Sequence, residues 1–276
     1  MPPVYGPTVA IAYDFDDTLA RKDMFSHAIP VLQVDTDALR ADMQRILSES
    51  RGTTLLAVLY LLADHAKKAG VPITRALLAD IGKHMEPFPG LPEYFPRLNQ
   101  YAADRGITLE HYIISSNLRE ILEGTPIAPY FKRIFGSAYI YDANGEACWP
   151  SVCLDYTGKT QFLYRISKGC LEEHDSRGVN AQMHPTERPI PFSGIIFVGD
   201  GYTDIPAMAL TRQKGGHSFA VYDPEEKNRE RIARELEEQD RVNAALPADY
   251  REGSALDAAL KAVIDSVAAN LVRCNT

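Results

Sequence analysis

Polar side chains that can do chemistry stand where three short apolar segments of the chain end. They are Asp14 and Asp16 after residues 9–13, Ser115 after residues 112–114, and Asp200 after residues 194–199. A carboxylate can attack phosphorus and form an acyl phosphate, which divides one difficult displacement into two easier ones. A hydroxyl beside it can hydrogen-bond a phosphoryl oxygen. The residue types therefore suit phosphoryl transfer.

Such an attack needs positive charge, because a carboxylate and a phosphate repel each other. At about 4 Å and an effective dielectric of about 20, a pair of unit charges costs about 4 kcal/mol, so a dianion costs about 8 kcal/mol. A lysine and a divalent cation offset that repulsion. Lys159, at a predicted helix start, is the candidate lysine, and Lys168, later in the same helix, is the alternative. Magnesium prefers oxygen ligands, so carboxylates predict Mg2+ as the cofactor.

The elements that position these groups are predicted from hydrophobic periodicity. Buried strands alternate with helical segments, which favours an α/β fold: a Rossmann-like three-layer core with a mainly parallel sheet. The predicted strands are residues 9–13, 112–114, 137–141, 147–154, 194–198 and 219–222. In such sheets ligands bind at the carboxyl ends of the strands, where the polar groups lie.

Residues 21–86 differ in character, with helical apolar spacing and no convincing strand. We expect a separate, small α-helical domain over 21–86, inserted into an α/β core formed by 1–20 and 87–276. Asn144-Gly145 predicts a β-hairpin, with Trp149 on its second strand. This hairpin is either a further element beside the helical domain or an extension of the sheet, and we favour the extension.

Four motifs occur in a distinctive order: D-x-D-x-T at 14–18, Ser115, Lys159, and G-D-x-x-x-D at 199–204. Together they resemble the haloacid dehalogenase superfamily in its phosphatase branch, over about residues 8–20 and 87–225. The helical insert between the first two motifs, residues 21–86, is similar to the branch that contains phosphoserine phosphatase, and the resemblance implies that it is a cap domain over the active site. The chain departs from that enzyme because Ser115 is followed by Ser116-Asn117 and not by a glycine pair.

The resemblance implies roles for the first motif. Asp14 would be the nucleophile and a metal ligand. Asp16 would protonate the leaving oxygen, deprotonate the attacking water, and bind the metal through its backbone carbonyl. Thr18 would brace the loop and contribute to phosphate binding. The alternative for these acidic residues is a helix cap or turn, and we expect Asp17 to be a cap.

The resemblance assigns the remaining motifs in the same way. Ser115 would bind the phosphate, with Ser116 as the alternative ligand, and Lys159 would hold both the nucleophile and the phosphate. Asp200 would bind Mg2+, and Asp204 would support it, either directly or through water. Capping a helix is the alternative for Asp204, and we expect Asn117 to be a cap.

The function expected from this resemblance is Mg2+-dependent hydrolysis of a small phosphate ester through an aspartyl phosphate. One alternative is a phosphotransferase or mutase on the same core, and another is a non-catalytic module that binds a phosphorylated ligand. Asp23 lies where an amine-binding residue is expected, whereas Arg51 is expected to be solvated. Phosphoserine itself is not favoured as the substrate.

Net charge, cysteine spacing and the first residues indicate which partners and which cellular compartment to expect. The formal net charge is -8 and there is no basic stripe, so nucleic acid and anionic membranes are not expected partners. The first residues have no cationic start and no long apolar stretch, so we expect no signal peptide, and the four cysteines include no C-x-x-C pair. We expect a cytoplasmic protein with reduced thiols.

Overall fold

The computed structural model describes residues 7–274 of the chain. Within this range seven strands form one sheet in the order β4-β3-β2-β1-β5-β6-β7. The strands are β1 Thr8–Tyr13, β2 Thr108–Leu118, β3 Arg133–Tyr141, β4 Ala147–Val152, β5 Ile195–Gly199, β6 His217–Tyr222 and β7 Ala244–Pro247. All neighbouring strands are parallel except β3 and β4. This mainly parallel sheet confirms the predicted Rossmann-like α/β fold.

Helices cover both faces of the sheet. They are α1 Met24–Val31, α2 Thr36–Ser50, α3 Thr54–Lys68, α4 Arg75–Lys83, α5 Leu91–Ala103, α6 Arg119–Glu123, α7 Gly158–Lys168, α8 Ser176–Asn180, α9 Ile205–Gln213, α10 Lys227–Glu238 and α11 Ala255–Cys274. Ile11 and Tyr13 of β1 belong to one buried cluster, with α5 and α11. Ala10 and Ala12 belong to the other, with α7, α9 and α10. Successive strand residues face opposite sides, which gives three layers.

The second strand is longer than its apolar core and is irregular at its carboxyl end. Ile114 pairs with Phe135 of β3, but the next paired residue, Leu118, faces Ser137. The bulge between them takes up extra residues of β2, and Ser115 and Asn117 on it are both buried. Bulges of this kind are common next to active sites, where they re-aim side chains.

The predicted hairpin is present and extends the sheet. Strands β3 and β4 are antiparallel, and β4 is the edge strand. The Asp142 Oδ1 atom accepts hydrogen bonds from the backbone N–H groups of Asn144 and Glu146, and Gly145 adopts φ 79°. Positive φ favours glycine, so the Asn-Gly pair matches the turn it was expected to form. The favoured reading of this segment, a sheet extension, is therefore confirmed.

Helices α1–α4 follow one another between β1 and α5, and they pack on the rest of the molecule at two places. Helix α4 crosses α6 at backbone contact, because a Cβ on Gly82 would lie 2.0 Å from the Ile121 carbonyl oxygen and one on Gly124 would lie 2.1 Å from that of Ala79. Helix α3 contacts the hairpin, where the Tyr139 hydroxyl donates to the Leu59 carbonyl over 2.7 Å. The contact between α4 and α6 requires glycine at both positions, and the contact between α3 and the hairpin uses the Tyr139 hydroxyl.

Other segments differ from the sequence-based expectation. The loop expected over residues 177–191 contains most of α8 and a short 3-10 turn. Just before this segment, the buried Arg165 side chain donates to the backbone carbonyls of Glu172, Glu173 and Asp175. No strand was expected at β7, whose four residues pair with β6. No helix in the described range is both long and apolar enough to cross a bilayer.

Candidate active site

A fully buried lysine joins two carboxylates at the carboxyl end of the sheet. Asp14 directly follows β1, and its backbone N–H donates to the Val198 carbonyl of β5 over 2.8 Å. The Lys159 Nζ atom lies 2.9 Å from Asp14 Oδ1 and 2.6 Å from Asp204 Oδ1. Burial alone lowers the pKa of Lys159, but the charges of Asp14 and Asp204 outweigh burial and raise it above its usual value. The lysine is therefore a permanent positive charge beside Asp14.

Three buried carboxylates form a cluster that suits a hard cation. Asp14, Asp200 and Asp204 each offer an oxygen atom, and these atoms all lie within 4.8 Å of one another. Burial raises the pKa of Asp200 and Asp204, and the negative charges of their neighbours raise both further. Closely spaced buried carboxylates need additional positive charge to stay ionised together. The oxygen-only donor set and this charge deficit both fit Mg2+.

Asp16 and Asn117 are joined across two neighbouring strands. Asn117 Nδ2 donates to Asp16 Oδ1 over 3.0 Å. Burial raises the pKa of Asp16 well above its usual value, and the charges of Asp14 and Asp23 raise it further, against the opposite effect of the Asn117 hydrogen bond. A raised pKa suits a carboxyl group that must carry a proton near neutral pH.

The loop after Asp16 is stabilised by a hydrogen bond from a buried tyrosine. The Phe15 carbonyl accepts hydrogen bonds from the backbone N–H groups of Thr18 and Leu19, and the Tyr250 hydroxyl donates to the Thr18 carbonyl over 2.8 Å. The Thr18 side chain is buried, and its Oγ1 has no partner among the described residues. Thr18 is therefore a buried part of the turn that directly follows Asp16.

Ser115 and Ser116 differ in burial. Ser115 is fully buried on the bulge of β2, and its Oγ accepts the backbone N–H of Asn117 over 3.2 Å. Ser116 is partly exposed. Ser115 is therefore buried on the strand next to β1, which Asp14 follows, whereas Ser116 is the more exposed of the two serines.

Arg229 contacts the cluster but was not expected from the sequence. It lies in α10, which was predicted only as a solvated charged helix. Its NH1 atom donates to Asp200 Oδ2 over 2.8 Å, and its NH2 atom donates to Asp17 Oδ2. The only signal in the sequence was the position of α10 directly after β6, because a helix that follows a parallel strand starts at the carboxyl edge of the sheet.

Several alternatives are resolved by these contacts. Lys168 Nζ donates to the carbonyls of Val179 and Ala181, so it clamps a loop and leaves the acidic cluster to Lys159. Asp204 precedes α9 but its side chain makes no capping hydrogen bond; it accepts instead from the Asp200 backbone N–H over 3.2 Å.

Two expected caps are wrong. The Asp17 carboxylate pairs with Arg229 and does not cap a helix. Asn117 does not cap α6: Leu118 is the N-cap of that helix, and the Asn117 side chain binds Asp16 and the Leu118 backbone N–H. The physical reason is the same in both cases, since each side chain is held by a side chain from a distant segment, Arg229 for Asp17 and Asp16 for Asn117.

Residues outside the motifs lie as follows. Asp23 is the N-cap of α1 and accepts the Ser26 backbone N–H over 2.9 Å, yet it is close enough to Asp16 to raise the pKa of that carboxyl group. Arg51 ends α2 in the left-handed region and is exposed. Cys148, Cys153 and Cys170 are free thiols.

Three known proteins are similar to this chain, one in sequence and two in fold. The chain is 24% identical to an uncharacterized protein of Borreliella burgdorferi, over 90% of this chain and 93% of that protein. A haloacid dehalogenase family hydrolase from Salmonella enterica serovar Typhi superposes with a TM-score of 0.56 at 17% identity, over 88% of this chain and 68% of that one. A phosphoserine phosphatase in its apo form also superposes with a TM-score of 0.56. It is 16% identical, over 89% of this chain and 96% of that one.

The family model for haloacid dehalogenase-like hydrolases matches residues 11–209, which is more than half of the chain. The match runs from β1 into α9 and includes Asp14, Ser115, Lys159 and Asp200. The chain therefore belongs to the haloacid dehalogenase-like hydrolase family.

Proposed function

We propose that this hydrolase is a Mg2+-dependent phosphomonoesterase that acts through an aspartyl phosphate on Asp14. The observation that carries the proposal is the buried chain Asp14–Lys159–Asp204, with Asp16 two residues from Asp14 and held by Asn117. It combines a carboxylate nucleophile, a fixed positive charge and a carboxyl group with a raised pKa.

In the first step, an Asp14 carboxylate oxygen attacks phosphorus and the ester bond breaks. Protonated Asp16 gives its proton to the leaving oxygen, so the alcohol departs neutral. Lys159, fixed beside Asp14, stabilises the negative charge that Asp14 and the phosphoryl group bring together. Ser115 would hydrogen-bond a phosphoryl oxygen from the neighbouring strand end.

In the second step, water attacks the phosphorus of the aspartyl phosphate. Asp16, now ionised, takes a proton from that water, and the bond between Asp14 and phosphorus breaks. Inorganic phosphate leaves and the Asp14 carboxylate and protonated Asp16 are restored. One residue can serve as acid and then as base because burial and the charge of Asp14 raise its pKa above the ordinary value for an aspartate.

Asp14, Asp200 and Asp204, with the backbone carbonyl of Asp16, would hold the magnesium ion. When bound, Mg2+ supplies positive charge that offsets the repulsion between the nucleophile and the phosphate. The deficit of positive charge in the buried carboxylate cluster supports this part of the proposal.

Helices α1–α4, within residues 21–86, would act as the cap that covers the site and selects the leaving group. Asp23 at the start of α1 carries negative charge close to Asp16, which supports this placement of the cap. The substrate would be a small phosphorylated metabolite in the cytoplasm. A substrate panel should contain esters with and without an amine, because an amine would be attracted to Asp23.

The test is release of inorganic phosphate from p-nitrophenyl phosphate and from a panel of phosphorylated metabolites. Wild type and Asp14→Asn are compared with Mg2+ and with EDTA. Asp265→Asn is the matched control, because Asp265 lies on α11 in an ion pair with Arg105. We expect Mg2+-dependent release in wild type and in the control, and none in Asp14→Asn, which keeps its size but loses the nucleophilic charge.

Two other functions have distinct outcomes in this assay. A phosphotransferase or mutase on the same core would release little phosphate but form a new ester when a sugar acceptor is added. A non-catalytic module would bind phosphorylated ligands without any turnover. Turnover that survives in Asp14→Asn would refute the proposed nucleophile.

A further inference from the structure

One guanidinium group links two loops that carry different parts of the candidate site. Arg229 donates from NH1 to Asp200, in the loop after β5, and from NH2 to Asp17, in the loop after β1. Both carboxylates are largely shielded from solvent, with side-chain exposures of 10% for Asp200 and 16% for Asp17. A shielded, two-sided ion pair is more specific than an ordinary surface pair.

The segment that carries Arg229 is attached to the same loop a second time. Arg21 NH1 lies 3.2 Å from Asp223 Oδ2 and 3.3 Å from Glu225 Oε2. Two arginines therefore join residues 223–229 to the loop after β1. Arg21 belongs to that loop, and Arg229 belongs to the segment 223–229.

Asp17 has a backbone that needs such support. Its φ of 55° lies in the left-handed region, which non-glycine residues rarely adopt. Such conformations persist only where the surroundings hold them. The neighbouring residue on the same loop is Asp16, so the position of Asp17 bears directly on the position of the candidate acid.

We propose that Arg229 is a positioning residue that ties the loop of Asp14, Asp16 and Asp17 to Asp200 and so sets the spacing of the metal-binding carboxylates before the metal arrives. The inference rests on the proposed function, because it assumes that Asp14 and Asp200 bind a divalent cation. It assigns Arg229 no contact with the substrate.

A tether and a simple charge effect predict opposite results. A positive charge next to Asp200 repels a cation, so its removal should tighten metal binding if charge alone matters. A residue that orients metal ligands should weaken binding when it is removed, by about tenfold to a hundredfold. The sign of the change in metal affinity therefore separates the two roles.

The measurement is the affinity of the substrate-free protein for Mn2+, read from the electron paramagnetic resonance signal of the free ion, with Mg2+ as competitor. Mn2+ is the probe because it prefers the same oxygen ligands. We expect the dissociation constant to rise about tenfold in Arg229→Gln. Asp17→Asn removes the negative charge at the other end of the tether and so weakens it, and this variant should also raise the dissociation constant. The double variant should be no worse than the more affected single variant.

Arg229→Lys and Arg231→Gln are the matched controls. A lysine keeps the charge, but its ammonium group lacks the planar fork that reaches two carboxylates, so affinity should stay low. Arg231 is an exposed residue of the same helix, paired with Glu235, and its loss should change nothing. Urea unfolding of every variant separates a change in metal affinity from a loss of folded protein.

Two outcomes would overturn the inference. An unchanged or tighter Mn2+ affinity in Arg229→Gln contradicts a tether. So does a normal affinity in Asp17→Asn, since Arg229 would then act on Asp200 alone. Absence of Mn2+ binding in wild type would instead overturn the proposed function, which keeps the two failures distinct.

Discussion

Asn117 donates a hydrogen bond to Asp16 across 3.0 Å, although the two residues are 101 positions apart. The contact exists because the bulge at the end of β2 turns the Asn117 side chain towards the neighbouring strand end. It fixes one oxygen of the candidate general acid.

Replacing Asn117 by alanine should slow the release of poor leaving groups more than that of good ones. An alkyl alcohol needs a proton from Asp16 as it departs, whereas p-nitrophenol departs readily as an anion. We expect kcat to fall about tenfold with an alkyl phosphate, about 1.4 kcal/mol of transition-state stabilisation, and less with p-nitrophenyl phosphate. An equal loss with both esters would contradict this role.

Replacing Lys159 by methionine should destabilise the protein as well as stop turnover. The change leaves Asp14 and Asp204 buried without their shared counter-ion. Removing one partner of a buried ion pair costs about 3 kcal/mol. Urea unfolding in EDTA measures the loss, with Lys132→Met, an exposed lysine, as control. A midpoint equal to that of wild type would show that the lysine is not needed to balance the acidic pair.

Replacing Gly82 by alanine should separate α4 from α6. The new Cβ would lie 2.0 Å from the Ile121 carbonyl oxygen, which is backbone and can move only if a helix moves. We expect the free energy of unfolding to fall by about 2 kcal/mol. Gly52→Ala is the control, because its Cβ meets only the Ser50 hydroxyl, at 3.2 Å. A larger effect at Gly52 than at Gly82 would refute the close helix contact.

The protein should become less stable as the pH is lowered from 7 to 5, because His111 is buried. Its Nδ1 contacts the Tyr13 hydroxyl at 3.0 Å and its Nε2 contacts Asn99 Oδ1 at 2.9 Å, and burial lowers its pKa to about 3. Between pH 7 and 5 the unfolded chain takes up a proton at this histidine and the folded chain does not. The free energy of unfolding therefore falls by about 2 kcal/mol from this group.

The measurement for His111 is urea unfolding at pH 7 and at pH 5. His111→Gln should show a smaller fall in stability with pH than wild type, although it is less stable at pH 7. His174→Gln, at an exposed position, should keep the wild-type fall. An identical pH dependence in His111→Gln and wild type would contradict the assignment.

The sequence predicted the residues whose positions depend on strand ends. Asp14, Ser115 and Asp200 each follow a strong apolar segment, and parallel strands bring their carboxyl ends to one edge. Lys159 was found because it lies in the first turn of a helix that starts at the same edge. Backbone topology therefore places the three strand ends and this helix start at one edge of the sheet.

The contacts that were missed depend on irregular backbone or on long side chains. The bulge that aims Asn117 has no signal in a single sequence, and Arg229 resembles the other charged residues of α10. Strand β7 has four residues and ends in Pro247, too short for a periodic pattern. Such features are decided by tertiary contacts and not by local sequence preference.

The central claim is that Asp14 forms a covalent bond to phosphorus. The direct measurement is peptide mass spectrometry after acid quench of Asp16→Asn mixed with Mg2+ and p-nitrophenyl phosphate. This variant should accumulate the intermediate, because it lacks the base that activates water. We predict one phosphoryl group on the peptide with Asp14, sensitive to hydroxylamine and absent from a variant that also carries Asp14→Asn. A phosphoryl group on another residue, or steady turnover without Asp14, would contradict the account.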